Sequence, residues 1–188
     1  MHDEQHWMQQ CLNGDRNAFY ELVKPHLNRV YSTSVAILYS THLAEDAVQN
    51  GMIEAYQAIM NGKEIRSFGS WFRQLVAMRA MDLARARAKQ VQRTGDLEGA
   101  EPADGQELPM ESLLRKEENT RLLSQVMSLD IRHRTVIVLY YYQEMSIEEI
   151  SEVLGVKAGT VKSRLHTART KLLKLNQKLD PKQVSFNV

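Results

Sequence analysis

Three groups of ionisable side chains in this 188-residue chain have the types and spacing to do chemistry. Residues 157–182 carry eight Lys/Arg against one acid, Asp180, a net charge of +7. Within them Lys162, Arg164, His166, Arg169 and Lys171 share one side of a helical pattern, with Ser163 and Thr167 between them. Cations interleaved with hydroxyls suit a phosphate backbone, and Arg or Lys also matches the guanine edge. Residues 66–93 set seven bases (Arg66, Arg73, Arg79, Arg85, Arg87, Lys89 and Arg93) against Asp82 alone, net +6. The third group is acidic. Glu45, Asp46 and Gln49 fall on one face of a helix, and residues 94–118 hold eight acids and two bases, net −6. The chain as a whole sums to only +1, so the charge is partitioned rather than absent. Partition of this kind points to nucleic acid or a membrane surface.

None of these groups is laid out for making or breaking bonds. No nucleophile or metal ligand accompanies Glu45 and Asp46, and no glycine-rich phosphate loop occurs. A single cysteine, Cys11, excludes a disulfide scaffold and a zinc site built on several thiolates. His2 and His6, four apart with Cys11 nearby, could meet a metal, but an N-terminal tail is a poor place to fix ligand geometry. His26, His42, His133 and His166 are isolated singles. The expectation is a protein that is not an enzyme, with no cofactor and no small-molecule substrate. No apolar run approaches ~18 residues, and the polar, acidic start Met1–Gln10 is unlike a signal peptide, so a cytoplasmic location is expected.

The elements that must present these groups read as helices throughout. Phe19, Leu22, Val23, Leu27, Val30 and Tyr31 recur at helical spacing after a capping Asp15, although Pro25 predicts a kink or break. Leu43, Ala47, Val48, Met52, Ala55, Tyr56 and Ile59 form a one-sided stripe. A third stripe, Phe68, Trp71, Phe72, Leu75, Val76, Met78 and Leu83, has arginines on its other side, and Trp71 is expected in the core. Val136–Tyr142 is β-branched and aromatic, yet its flanks favour a short buried helix, with Tyr140–Tyr142 expected as core with one exposed face rather than as a stacking platform. Thr94–Met110 has no apolar period and gathers Gly95, Gly99, Gly105, Pro102 and Pro109, which marks a linker. The expected fold is all-α: two small helical domains at 1–92 and 112–180, an acidic flexible linker at 93–111 and a tail at 181–188.

Ser146-Ile147-Glu148-Glu149 is a capping box opening a helix whose inner face is Ile147, Ile150, Val153 and Leu154. Gly155 ends that helix, and a second starts near Ala158 with Val161, Leu165, Ala168 and Leu172 inward. A helix, a short glycine turn and a basic second helix make a helix-turn-helix. An ordinary helical hairpin with a solvated basic face has the same periodicity.

The run from Arg134 to Arg169, above all Gly159-Thr160-Val161-Lys162-Ser163-Arg164 with Ala168-Arg169, resembles region 4 of an extracytoplasmic-function (ECF) sigma factor of bacterial RNA polymerase. Gly14-Asp15 with Ala18-Phe19 and Leu22-Val23 resembles the start of region 2 in that family. Ala44-Glu45-Asp46-Ala47-Val48-Gln49 resembles its polymerase-binding stretch, and Phe68-Gly69-Ser70-Trp71-Phe72 with Asp82 its minus-10 region. The resemblance implies core polymerase binding through Glu45, Asp46, Val48, Gln49, Met52, Ile53 and Tyr56. It implies minus-10 contacts from Arg66, Ser67, Phe68, Trp71, Arg73, Gln74, Met78, Arg79 and Arg85, and minus-35 contacts from Thr160, Lys162, Ser163, Arg164, His166, Thr167 and Arg169. Met78 stands where the family usually has Asn, and Thr167 where it often has Arg. Implied partners are core RNA polymerase, promoter DNA and an anti-sigma factor. The implied function is promoter-specific transcription initiation; the alternative is a free-standing helix-turn-helix regulator independent of polymerase.

Overall fold

The structure, a computed structural model, describes residues 2–94, 122 and 124–179. Among these every regular element is helical. The chain divides into two units, Met1–Pro109 and Met110–Val188. The linker expected at 93–111 lies, after Thr94, outside the described residues, as does the tail at 181–188.

The first unit contains α1 (His2–Leu12), α2 (Arg16–Leu38), α3 (Thr41–Met60) and α4 (Phe68–Thr94). Helices α2, α3 and α4 pack against one another in all three pairings, and α1 packs on α2 and α3. The N-terminus is therefore a packed helix rather than a loose tail. Asp15 caps α2 by accepting the Asn17 amide at 2.9 Å, and Ser40 caps α3 through the Leu43 amide at 3.4 Å.

Pro25 neither ends nor interrupts α2, which is assigned as one helix from Arg16 to Leu38. Proline removes one amide from the ladder, but Pro25 and Glu21, whose carbonyl loses that partner, both lie on the exposed side. Leu22, Val23 and Val30 remain buried on either side of the proline, so the packed face continues through it. Residues 32–38 are buried on every side of the helix. The hydroxyls of Thr33 and Ser34 are accommodated there by donating to the carbonyls of Arg29 and Val30 at 3.0 and 2.9 Å.

Gly51 looks unfavourable inside α3 by sequence, at about 1 kcal/mol against Ala. Its packing accounts for it: a Cβ there would stand 2.6 Å from Val76 Cγ2 of α4. The glycine lets α3 and α4 approach closely.

The second unit contains α5 (Ile131–Ile137), a π-helical turn (Val138–Tyr142), α6 (Ile147–Leu154) and α7 (Ala158–Leu179). Asp130 caps α5, and α5 and α6 both pack on α7. The capping box forms in both directions: the Glu149 amide donates to Ser146 Oγ at 3.1 Å, and the Ser146 amide donates to Glu149 Oε2 at 2.8 Å. Gly155 closes α6 in the left-handed region at φ 63°. The segment read as a short buried helix is helical and its tyrosines do present an exposed face, but none of the three is fully buried. The Gln143 amide bonds the Val138 carbonyl five residues back at 3.0 Å, and this wider turn buries Val138 and Leu139 while leaving Tyr141 exposed and Tyr140 and Tyr142 half-buried.

The chain's two tryptophans, Trp7 and Trp71, both lie in the first unit, so intrinsic fluorescence reports its unfolding separately. Overpacking at a stiff β-branched neighbour outweighs the gain in helix propensity, so Gly51→Ala is expected to destabilise this unit by about 1–2 kcal/mol. Pairing it with Val76→Ala should recover part of that loss. Urea titrations of the single and double variants, followed by tryptophan emission, measure the coupling.

Candidate functional site

Helix α3 turns one exposed ridge to solvent. Glu45, Gln49 and Ile53 recur at i, i+4 and i+8, and all three are exposed. Ile53 is 50% exposed, an apolar side chain with no core to fill. Asp46 and Met52 are half-buried, and His42 Nδ1 stands 3.3 Å from Asp46 Oδ2. Tyr56 is half-buried edge-on against Phe19, their ring centroids 5.3 Å apart. Val48 belongs to the core and contributes to the ridge only by packing beneath it.

Helix α4 starts on a constructed seat. Glu4 of α1 accepts the amides of Phe68 and Gly69 at 3.1 and 3.0 Å, placing a carboxylate on the positive end of α4. His26 of α2 stands beside it, Nε2 3.8 Å from Glu4 Oε1 and its ring against Phe68 and Phe72. Burial lowers the His26 pKa; Glu4 raises it, and Arg73 and Arg29 lower it further. Gly69 is required here, because a Cβ would run into the His26 ring. Phe68 and Phe72 stack at 5.4 Å with their planes 14° apart, and both are fully buried.

The residues expected at the minus-10 surface therefore divide. Arg66 and Ser67 are exposed. Trp71 is half-buried at the core's margin, with Lys63 Nζ 4.9 Å over its ring. Phe68 is withdrawn from the DNA-contact set: it has no accessible surface and serves to anchor the helix. Arg73, Gln74 and Met78 are half-buried. Arg79 reaches Glu54 of α3 at 3.4 Å and Asp82 at 3.3 Å, and Arg85 reaches the other Asp82 oxygen at 3.2 Å. Two carboxylates thus oppose two of the arginines.

On α7, Val161, Leu165 and Ala168 are buried, and Thr160, Lys162, Ser163, His166 and Arg169 are exposed. Arg164 and Thr167 are half-buried at the flanks. Lys171 is committed within the unit, bonded to Asp130 Oδ2 at 2.7 Å, where His133 Nδ1 also lies 2.6 Å away. Lys171 and then His133 hold the Asp130 carboxyl well below the usual carboxylate range. Arg134 is buried and donates to the carbonyls of Met127 and Leu129 at 3.1 and 3.2 Å.

Sequence reasoning missed Glu4, Lys63, Glu54 and the Asp130–His133–Lys171 cluster. Only the last carries a local signal, an Asp three residues before a His at a helix start. Among the described residues, no three His, Cys, Asp or Glu side chains are grouped to hold a metal, and no helix is long and apolar enough to cross a membrane.

Glu4→Ala removes a charged cap and is expected to cost the first unit about 1–2 kcal/mol in urea titration by tryptophan emission. Asp130→Ala should cost about 1 kcal/mol at neutral pH, read as faster amide exchange in α5. Because the folded pKa is depressed, Asp130 contributes stability above the ordinary carboxylate pKa and loses it as pH falls. The native–variant gap is therefore full above about pH 5 and narrows below about pH 4.

Two family profiles match the chain, "Sigma-70 region 2" over residues 22–90 and "Sigma-70, region 4" over residues 120–172. The ECF RNA polymerase sigma factor SigW of Bacillus subtilis is 30% identical over 175 residues, covering 89% of this chain and 93% of SigW. The fold resembles that of CnrH, solved in complex with the cytosolic domain of CnrY, at TM-score 0.56 and 25% identity over 94% of this chain and 98% of that one. It also resembles the sigma factor RpoE, solved with the anti-sigma factor NepR from Bartonella quintana, at TM-score 0.58 and 22% identity over 85% and 96% of the two chains. A region-2 bundle bearing an acidic–apolar ridge, a region-4 helix-turn-helix with an outward basic helix and a near full-length match to SigW place the chain in the ECF family of RNA polymerase sigma factors.

Proposed function

We propose that this sigma factor binds core RNA polymerase through the α3 ridge and reads the promoter with two separate helices, α4 and α7. The observation that carries the reading is the face of α7: Lys162, Ser163, His166 and Arg169 are exposed along a helix whose opposite side is locked into the helix-turn-helix core. That geometry lets a rigid helix enter the major groove with its cations outward. Arg164 and Thr160 flank the same face and serve backbone contact.

On α3, Glu45, Asp46, Gln49, Met52, Ile53 and Tyr56 form the docking ridge. An exposed Ile53 about two helical turns along from Glu45 and Asp46 suits a basic surface with an apolar socket. Arg66 and Ser67, just before α4, and Trp71, Arg73, Gln74 and Met78 on it face the minus-10 element, with Arg79 and Arg85 held by their carboxylate partners until DNA competes for them. Neither helix needs to bind DNA tightly alone, because polymerase holds both readers on one template and the second contact becomes intramolecular. An anti-sigma protein that covers these surfaces is the expected regulator; RpoE has such a partner in NepR. The chain acts by recognition rather than catalysis, in the cytoplasm with polymerase.

Abortive transcription by core polymerase on a pooled promoter library, with and without the chain, tests the assignment. Transcripts that require the chain and share two motifs at constant spacing are expected. If no transcript depends on it while the chain alone shifts duplex DNA, the free-standing regulator is the correct reading. Ile53→Glu should cut chain-dependent transcription at least tenfold with the tryptophan-monitored stability unchanged. Lys162→Ala should weaken promoter binding across sequences alike and reduce the log–log salt slope by about 1.

A further inference from the structure

In the second unit the Arg169 side chain packs against a pair of aromatic rings, at the third corner of a triangle with them. Its guanidinium carbon is 5.6 Å from the Tyr140 ring centroid and 5.5 Å from that of Tyr141. The rings meet edge-to-face, 5.0 Å apart at 79°. Both tyrosines belong to the π turn Val138–Tyr142, in which Tyr140 is half-buried and Tyr141 exposed. Tyr141 is 55% exposed, while Val138 and Leu139 fill the core beneath it. The ring is thus uncommitted to the core, and its described neighbours include Tyr140 and Arg169.

We infer that Tyr141 is a positioning residue for promoter reading, holding the Arg169 guanidinium in a fixed direction on the outer face of α7. This rests on the proposed role of α7 in minus-35 recognition. A long arginine on an exposed helix face samples many rotamers, and ordering it on contact opposes binding. Two rings restrict those rotamers before DNA arrives, and the cation–π attraction leaves the N–H groups free to donate to a base edge. The tyrosine adds no cation to the α7 face, so its contribution is to geometry and sequence preference rather than to counterion release.

The test uses full-length chain with core polymerase, selecting bound sequences from duplex promoters randomised upstream of the start site. Native chain, Arg169→Ala, Tyr141→Leu, Tyr141→Phe and the Tyr141→Leu/Arg169→Ala double variant are compared. Arg169→Ala locates the bases that Arg169 reads. Tyr141→Leu is expected to lower preference at those same bases about three- to tenfold, with other positions and the salt slope unchanged. Tyr141→Phe keeps the ring and should retain native preference, and the double variant should match Arg169→Ala alone. Native preference in Tyr141→Leu, an equal loss at every position, or no base altered by Arg169→Ala would each overturn the inference. Failure of the native chain to enrich any sequence with core polymerase would instead overturn the promoter-reading assignment on which it rests.

Discussion

Helix α4 begins against the Glu4 carboxylate, which accepts the Phe68 and Gly69 amides at 3.1 and 3.0 Å. The first unit's exposed chemistry is referenced to that seat. Phe68 and Phe72 are clamped beneath it, His26 closes its side, and the absence of a Cβ at Gly69 lets α1, α2 and α4 meet. An anion at a helix N-terminus satisfies amides that the helix itself cannot, so the starting residue of α4 is set by α1. The first turn then determines which side of the following helix carries Trp71, Gln74 and Met78, and which side packs on α3.

Close packing transmits that placement. Gly51 against Val76 brings α3 and α4 near enough for Glu54 to reach Arg79 across the gap. The proposed docking ridge and the basic helix consequently rest on one core, with the ridge's apolar foundation, Val48 and Ala55, shared with α4. A partner docked as proposed on Ile53 would therefore also orient the cations of α4.

Charge in this protein is less available than its distribution implies. Arg134 is spent inside, on the carbonyls of Met127 and Leu129. Lys171 ties α7 to the cap of α5, and Arg79 and Arg85 share Asp82. Exposed pairs of this kind add little to stability, and a phosphate can displace them. They do set the resting direction of each side chain. Arg169 follows another route, being held by rings instead of a carboxylate, so its full charge stays available to a nucleic acid.

Much of this was legible in the residues alone. The helical class, the apolar faces of α3 and α7, the Ser146–Glu149 box and the Gly155 stop rest on periodicity or on contacts three or four residues apart, and the ECF resemblance on particular motif residues such as Gly159–Arg164. Those interactions form within a single turn, so local sequence encodes them. The tertiary structure alone decided that Glu4 would cap a helix 64 residues later, that Phe68 would be core and Trp71 marginal, and that α2 would run through Pro25. It also decided which arginines would be committed to carboxylates, and that a π turn would expose Tyr141. Each of these depends on which distant groups share a desolvated site, or on a one-residue offset in the backbone, and neither leaves a periodic trace in the sequence.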